Sequence, residues 1–199
     1  MIIKKPEMLN SLRNYYTSHN LPIYEANIFG IRFEEDQAKD KFNDWLGVWT
    51  QHEVFVTLGT TDPGRKATEN KENGSAHLCS GYHKNIWQAG IHGQHNPAFA
   101  HPALVQTGTG KVKIWRDKNK NYLNDDNIIE EGWFGINFHR ASKIKDVETI
   151  GDYSAGCQVV QNEKDFSFLL NLLLNTEDFK KDNKFCFSYM LFDKTEIKL

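Results

Sequence analysis

The chain has 199 residues, a formal net charge of −2 and 25% charged side chains, which is typical of one solvated globular domain with a sizeable core. This balance argues against a nucleic-acid-binding surface, and no basic amphipathic stretch indicates binding to a membrane surface. The longest apolar run, residues 166–174, is interrupted by Ser167 and Asn171 and is too short to span a bilayer. We therefore expect neither nucleic acid nor membrane insertion, and the sequence is silent on oligomeric state.

The first residues do not form a secretory signal, because no apolar segment of sufficient length follows Lys4 and Lys5. We expect synthesis in the cytoplasm without a recognisable signal peptide. The three cysteines, Cys79, Cys157 and Cys186, fit neither a zinc-binding spacing nor a small disulfide framework. Cys186 lies in an apolar run typical of a core strand, so Cys157 is the thiol whose neighbours suggest chemistry.

The first third of the chain is predicted to alternate helices and short strands. Apolar side chains recur at helical spacing after Pro6 and again around Trp45, with Gly47 as a helix stop. The predicted elements are helices over residues 6–19 and 36–47, strands over 28–33 and 54–58, and a turn at 60–64 that opens an exposed loop to Asn73.

Residues 76–106 carry five of the eight histidines, together with glycines and aromatic residues. We predict that these imidazoles, with Tyr82 and Trp87, form the wall of a cleft that binds a polar substrate; a loop packed by aromatic side chains explains the same pattern. A zinc site is a further hypothesis because His92 and His95 stand three residues apart, but nearby glycines and a proline disfavour the helix that this spacing needs. The five histidines are His77, His83, His92, His95 and His101.

The second half is predicted to be mainly strand, with one helix near its end. Residues 103–107 and 111–115 flank a Gly-Thr-Gly turn and predict a hairpin. Alternating oxygen-bearing side chains after Asp117 are similar to the opening of a calcium loop, but Tyr122 stands where that loop needs glycine, so a polar turn over residues 117–126 is predicted instead. The other predicted elements are strands over 133–138 and 184–192, the second central because both its faces are apolar, and a helix after Asn162.

These elements predict one α+β domain, mainly β. We expect a single domain over residues 1–199, with residues 1–50 forming a partly helical N-terminal portion packed on it. No linker composition divides the chain.

The residues that suggest catalysis are concentrated between 133 and 161. His139 ends an apolar run, and Cys157 follows a Ser-Ala-Gly turn and leads into another apolar run. An adjacent imidazole can remove the proton of a thiol and later return it to a leaving amine. Gly156 leaves backbone N–H groups near the sulfur open to a developing oxyanion, and Ser154 adds a hydroxyl to the same turn. A core cysteine after a turn and a surface histidine explain the same residues without catalysis.

The order strand, His139, loop, Ser154-Ala-Gly-Cys157, strand resembles the signature of the L,D-transpeptidase (YkuD-like) catalytic domain, over about residues 100–161. The resemblance implies a YkuD-like β-sandwich core with helices at the N-terminus and near the C-terminus. It implies that Cys157 is the nucleophile, that His139 is its base, and that Ser154 and Gly156 shape the oxyanion hole. It also implies a thioester route on peptidoglycan stem peptides, for which we expect no cofactor and no metal.

Three residues depart from the family's pattern, because Arg140 replaces a glycine, Ala155 a second histidine and Gln158 an aliphatic residue. A guanidinium can grip a carboxylate with two hydrogen bonds, so Arg140 is a candidate substrate-binding residue; a surface ion pair is the alternative. Gln158, Tyr82 and His92 complete the predicted substrate-binding set.

The sequence thus predicts a cysteine peptidase or transpeptidase that acts on stem peptides. Water as the final acceptor gives a carboxypeptidase or endopeptidase, and an amine gives a crosslink. Segments 60–64, 82–95, 102–106 and 115–117 are similar to phage- and prophage-encoded members of the family, which implies phage lysis and a site of action in the cell wall or periplasm. Two alternatives stay open: a non-catalytic descendant that binds wall material or a protein, and a zinc hydrolase that uses the histidines of residues 77–101.

Overall fold

The computed structural model describes residues 1–33, 40–144 and 146–198, and it is mainly β with a few helices. The α+β, mainly β class is therefore confirmed. The strands are β1 Ile3–Lys4, β2 Ala26–Arg32, β3 Asp44–Thr50, β4 Val54–Thr60, β5 Ser75–Leu78, β6 Gly81–His92, β7 His101–Val105, β8 Val112–Asp117, β9 Ile129–Gly132, β10 Phe138–Arg140, β11 Gln158–Val160 and β12 Phe187–Asp193. The helices are α1 Pro6–Ser18, α2 Arg65–Asn70, α3 Glu163–Leu174 and α4 Glu177–Lys181, followed by the 3-10 turn Lys194–Glu196.

The large sheet closes on itself. Its strand order is β1-β4-β11-β10-β7-β6-β12-β2-β3, and β3 also pairs with β4. Within the described residues, eight strands therefore form a ring to which β1 adds at β4. The second sheet has the order β5-β8-β9. Because strand β12 lies between β6 and β2, the prediction that the last strand is central is confirmed.

Among the described residues, the two largest of three apolar clusters stabilise this frame from opposite faces of its strands. The main core joins inward side chains of the ring to helix α3, whose Phe166 and Leu169 are buried in it. Helix α1 packs Leu12 and Tyr16 against Trp49 in a second cluster, as its predicted apolar face requires. Burial of apolar area at roughly 25 cal/mol per Å² is the main stabilising term for both.

Helix α3 begins where the sequence predicts. The Asn162 side chain accepts a hydrogen bond from the backbone N–H of Asp165 at 3.0 Å, which caps the first turn. None of the helices in the described ranges is long and apolar enough to cross a membrane.

The predicted helix over residues 36–47 is wrong in the part that can be compared. Residues 36–39 lie outside the described residues, and Asp44–Thr50 is strand β3, paired with both β2 and β4. Leu46 and Val48 face the main core while Trp49 faces the second cluster, which is the alternation of a strand. Gly47 does not end a helix, because it lies within β3. A Cβ at this position would lie 2.3 Å from the Phe55 carbonyl oxygen.

The predicted hairpin of residues 103–107 and 111–115 is also wrong. β7 pairs with β6 and β10 in the large sheet, whereas β8 pairs with β5 and β9 in the small one. The glycines between them allow close approach to β6, because a Cβ at Gly108 would meet the Asn85 carbonyl oxygen at 2.2 Å.

Two smaller predictions need correction, and one is confirmed. Residues 133–137 are not strand, so the strand predicted over 133–138 begins only at β10. The loop predicted after residue 64 contains the short helix α2. The polar turn over residues 117–126 is confirmed as the connection of the β8–β9 hairpin.

Candidate active site

A row of three histidines and one cysteine crosses four neighbouring strands of the large sheet. β6, β7, β10 and β11 lie side by side, and they contribute His92, His101, His139 and, directly before β11, Cys157. Side chains alternate between the faces of a strand, and Phe138 packs in the main core, so His139 points to the opposite face. We call His92, His101, His139 and Cys157 the His–Cys cluster.

The members of the His–Cys cluster are close enough to interact directly. The Cys157 sulfur and one ring nitrogen each of His92 and His139 all lie within 4.8 Å of one another. The His92 and His139 rings are stacked, with centroids 3.7 Å apart and planes inclined by 15°. The His101 centroid lies 5.3 Å from that of His92 and 5.5 Å from that of His139. The structure thus brings the predicted pair together and places two further imidazoles beside it.

The hydrogen bonds of His139 fix where its proton resides. Its Nδ1 lies 2.7 Å from the Arg140 carbonyl oxygen, which can only accept, so Nδ1 carries the proton. Its Nε2 is buried and has no hydrogen-bond partner among the described residues. Burial, followed by the neighbouring His92, lowers the pKa of His139 well below its usual value. His139 is therefore a neutral imidazole with a free basic nitrogen.

The Cys157 thiol is protonated at rest. The residue is 8% exposed, and its sulfur accepts the backbone N–H of Asn137 at 3.4 Å. Burial raises the pKa of Cys157 to about 11, and the Asn137 N–H offsets part of that rise because it favours the thiolate. The sulfur must therefore lose its proton during the reaction.

The turn before Cys157 is held by Ser154, which is fully buried. Its hydroxyl accepts the Gly156 N–H at 3.1 Å and donates to the Cys157 carbonyl oxygen at 2.9 Å. The Gln158 N–H donates to the Asn137 carbonyl oxygen at 2.8 Å. Of the N–H groups predicted to face an oxyanion, those of Gly156 and Gln158 are thus occupied, whereas the Cys157 N–H has no partner among the described residues. Ser154 and Gly156 shape the turn, and Cys157 itself supplies the free donor.

Arg140 lies beside the His–Cys cluster and is half-buried. Its guanidinium donates to the Ala141 carbonyl oxygen at 3.2 Å, and within the described residues it forms no salt bridge. The surface ion pair considered for it is therefore absent from that part of the chain. Its charge acts on the cluster, because it lowers the pKa of His101 and His139 after burial has done so.

Two predicted substrate-binding residues do not reach the His–Cys cluster. Tyr82 stands ten residues before His92 on β6, which at about 3.3 Å per residue separates them by most of the strand. Tyr82 instead lines a separate cavity of about 590 Å³. Gln158 points into the interior, where its Oε1 accepts the Tyr189 hydroxyl at 2.8 Å.

The five clustered histidines of the sequence divide among several places. His92 and His101 join the His–Cys cluster, and His95 is exposed. His83 is buried, lies 2.8 Å through Nε2 from the Cys79 carbonyl oxygen, and has its pKa lowered to about 4 by burial. Trp87 belongs to the main core, so the predicted common cleft wall is not formed.

The fifth histidine, His77, lies between Asp62 and Ser75 in a hydrogen-bonded series. This series has the Asp–His–Ser order of a serine-hydrolase triad, but its serine is buried. Its Nδ1 lies 2.9 Å from Asp62 Oδ1, and its Nε2 lies 3.1 Å from Ser75 Oγ. Ser75 is 1% exposed and accepts a hydrogen bond from Thr68. A nucleophile must be accessible to its substrate, so we interpret this hydrogen-bonded series as a structural network.

The His–Cys cluster contains zinc-binding residue types, but its geometry does not fit a metal ion. An imidazole nitrogen binds a metal close to the plane of its ring, about 2 Å away. Because the His92 and His139 rings are stacked nearly parallel, one ion cannot lie near both planes. The His92 Nδ1 is also occupied, since it accepts the Asn137 side-chain NH₂ at 3.0 Å. The alternative pair of His92 and His95 fits no better, because His95 is exposed beyond the end of β6.

Two members of this site were not predicted from the sequence. Asn137 touches both Cys157 and His92, and the available signal was its position two residues before His139, which in extended chain is the same face. His101 was predicted only as one of five histidines in the wall of a cleft, and not as a neighbour of Cys157 and His139. Its pairing with His92 across β6 and β7 depends on sheet register, which the wrongly predicted hairpin obscured.

Comparisons with protein-family models, with curated proteins and with solved structures found no match to this chain. The functional interpretation therefore depends on the residues and geometry of the site.

Proposed function

We propose that this protein is a cysteine peptidase or transpeptidase of L,D-transpeptidase type that acts on peptidoglycan stem peptides through a thioester. One observation carries the proposal. The Cys157 thiol lies within 4.8 Å of a His139 ring whose Nδ1 is held by a carbonyl oxygen, which leaves Nε2 as the basic nitrogen. This is the arrangement of a nucleophile, a general base and a group that orients the base.

The reaction follows from the resting protonation states. His139 Nε2 accepts the thiol proton as the sulfur attacks a peptide carbonyl, so that charge separates only in the transition state. The free Cys157 N–H donates to the resulting oxyanion. The intermediate collapses to a thioester as the imidazolium returns its proton to the departing amine. Water or a second amine then attacks the thioester, giving hydrolysis or a crosslink.

The order of elements supports a fold of the YkuD-like type as part of the proposal. β10 and β11 are parallel neighbours, with His139 in register with Val159, so the histidine strand and the strand after the cysteine lie side by side. Ser154, Gly156 and Cys157 occupy the connection between them. We further propose that the protein acts on the cell wall or in the periplasm, as a phage- or prophage-type wall-degrading enzyme, after synthesis in the cytoplasm.

Turnover of purified muropeptides by variants tests the function. Cys157→Ala and His139→Gln are expected to reduce turnover by at least about 1000-fold, because each removes half of the nucleophile–base pair. Cys79→Ala removes a thiol outside the His–Cys cluster and is expected to keep wild-type turnover. Undiminished turnover by Cys157→Ala would rule out the proposed nucleophile.

A second candidate function is a non-catalytic descendant that binds wall material or a protein. The observation that favours it is the burial of the sulfur, which leaves Cys157 8% exposed. Sedimentation with purified peptidoglycan separates the two functions. A binding protein would sediment equally well as wild type and as Cys157→Ala and would release no muropeptide, whereas the enzyme releases product that Cys157→Ala does not.

A further inference from the structure

We propose that Asn137 is a positioning residue for the Cys157–His139 pair, acting on the sulfur directly and on His139 through His92. This inference rests on the proposed function and adds to it a residue that orients the reacting groups and exchanges no proton with them. Asn137 meets both halves of the site, since its backbone N–H donates to the Cys157 sulfur at 3.4 Å and its side chain donates to His92 Nδ1 at 3.0 Å.

The orientation of the Asn137 amide is fixed by its other partners. Its Oδ1 accepts the backbone N–H of Gln106 at 2.8 Å, so its NH₂ group must face His92. Its carbonyl oxygen accepts the Gln158 N–H at 2.8 Å, which ties the same residue to β11. Asn137 therefore connects β7, β10 and β11 at the point where the His–Cys cluster forms.

This amide sets the protonation of His92. Because the Asn137 NH₂ is a donor, His92 Nδ1 must offer a lone pair, and the proton of the neutral ring is on Nε2. Burial, followed by His101, lowers the pKa of His92 to about 4. His92 therefore stays neutral at the pH at which the enzyme is expected to work.

A neutral His92 is what the reaction needs at this position. The His92 ring is stacked on His139 with centroids 3.7 Å apart, so it holds the base in one orientation. During the reaction His139 becomes an imidazolium, and a neutral aromatic face stabilises that charge whereas a second imidazolium would repel it. The other groups that face His92 are the neutral His101 and the Cys157 thiol, and Arg140 adds positive charge beside His101 and His139.

The Asn137→Asp variant tests the role because it keeps the shape and reverses one hydrogen bond. A carboxylate oxygen facing His92 Nδ1 favours a protonated ring, so we expect the His92 pKa to rise by about 1 to 3 pH units. The acid limb of the kcat/KM profile is expected to move upward with it. Asn137→Ala frees His92, and kcat is expected to fall by about 100-fold, the cost of a misplaced catalytic group. Asn175→Asp is the matched control, because the exposed NH₂ of Asn175 donates to the Asn171 carbonyl oxygen at 2.8 Å and to no residue of the His–Cys cluster, and wild-type behaviour is expected.

Imidazole ¹⁵N NMR of the intact chain gives a second readout that does not require activity. Wild-type His92 is expected to carry its proton on Nε2, and Asn137→Ala is expected to release this preference. The proposed role would be overturned if wild-type His92 carried its proton on Nδ1. It would also be overturned if both Asn137 variants were folded and had kcat values and pH profiles within about twofold of wild type. If wild type turns over no stem peptide, the proposed function fails, and the His92 tautomer in wild type and Asn137→Ala still decides whether Asn137 orients the ring.

Discussion

At the scale of single residues, the turn before β11 depends on a backbone conformation that only glycine adopts easily. Gly156 has φ +130°, and a Cβ there would lie 2.5 Å from the Ala76 carbonyl oxygen and 2.9 Å from Ile136 Cδ1. The Ser154 hydroxyl closes the same turn from its other side. The position of the sulfur is therefore set by one residue without a side chain and one with a short polar side chain.

Gly156→Ala is expected to destabilise the protein by more than backbone strain alone. Gly81→Ala is the matched control, because Gly81 has a similar φ of +123° and a methyl group added there would meet no atom within 4 Å. Strain at such a φ costs about 1 to 3 kcal/mol, and only Gly156→Ala adds a steric clash. Urea unfolding of both variants measures the difference, and equal losses would show that the contact with Ala76 is unimportant.

The protonation state of Cys157 gives a second prediction at this scale. With a pKa of about 11, the thiolate fraction and hence the alkylation rate should rise about tenfold per pH unit from pH 7 to pH 10. Iodoacetamide kinetics in a Cys79→Ser, Cys186→Ser background would follow Cys157 alone. A plateau reached below pH 8 would contradict the neutral resting pair and indicate a preformed thiolate.

At the scale of elements, the irregular segment before β10 is as important as the strands. The Gln106 side chain accepts the backbone N–H groups of Phe134 and Ile136 at 3.0 and 2.9 Å, and the Trp87 indole donates to the Ile136 carbonyl oxygen at 2.7 Å. These bonds take the place of a strand ladder, and they lead the chain to Asn137.

Gln106→Leu is therefore expected to loosen this segment. The variant keeps the backbone N–H of residue 106, which donates a hydrogen bond to Asn137 Oδ1. Each N–H left unsatisfied in the interior costs roughly 1 to 3 kcal/mol. Gln88→Leu is the control, because the hydrogen bond that the Gln88 side-chain NH₂ donates to the Lys184 carbonyl oxygen is exposed. Amide hydrogen exchange at Phe134 and Ile136 should accelerate only in Gln106→Leu; unchanged exchange there would mean that other contacts hold the segment.

Elements with a local signal were predictable, and those decided by distant partners were not. Helix α3 has its cap and apolar stripe in consecutive residues, so Asn162 and Phe166 indicate it directly. The helical spacing of Phe42, Trp45 and Leu46 was misleading, because pairing with β2 and β4 determined a strand there. The Cys157–His139 pair was predicted from its order in the chain, whereas His92 and Asn137 join it only through sheet register.

At the scale of the whole molecule, the fold removes several ionisable groups wholly or largely from water. Arg32 is buried against Asp62 at 3.2 Å, and this guanidinium and His77 lower the pKa of Asp62 to about 2 against the cost of burial. Asp44, buried beside them, has its pKa raised to about 7 by burial and by Asp62. Stability will therefore depend on pH through several groups of opposite sign, which single variants can separate.

His83 is one group whose contribution to the pH dependence of stability can be isolated by a single variant. Its folded pKa of about 4 lies below the unfolded value of 6.5, so the unfolded chain binds the extra proton between these values and stability falls as pH falls. His83→Gln keeps a donor for the Cys79 carbonyl oxygen and removes the titration. Between pH 7 and pH 4, wild type should lose roughly 3 kcal/mol relative to His83→Gln. Urea unfolding at both pH values measures this, and a difference that does not change with pH would contradict a neutral buried His83.

The most direct test of the central claim is intact-protein mass spectrometry after rapid mixing with a stem tetrapeptide. Wild type is expected to gain the mass of the acyl portion, mapped to Cys157 and released by hydroxylamine as a thioester would be. Cys157→Ala is expected to gain nothing, and His139→Gln is expected to acylate far more slowly. Two results would contradict a thioester on Cys157. One is turnover by wild type with no adduct under single-turnover trapping, and the other is an adduct that persists in Cys157→Ala.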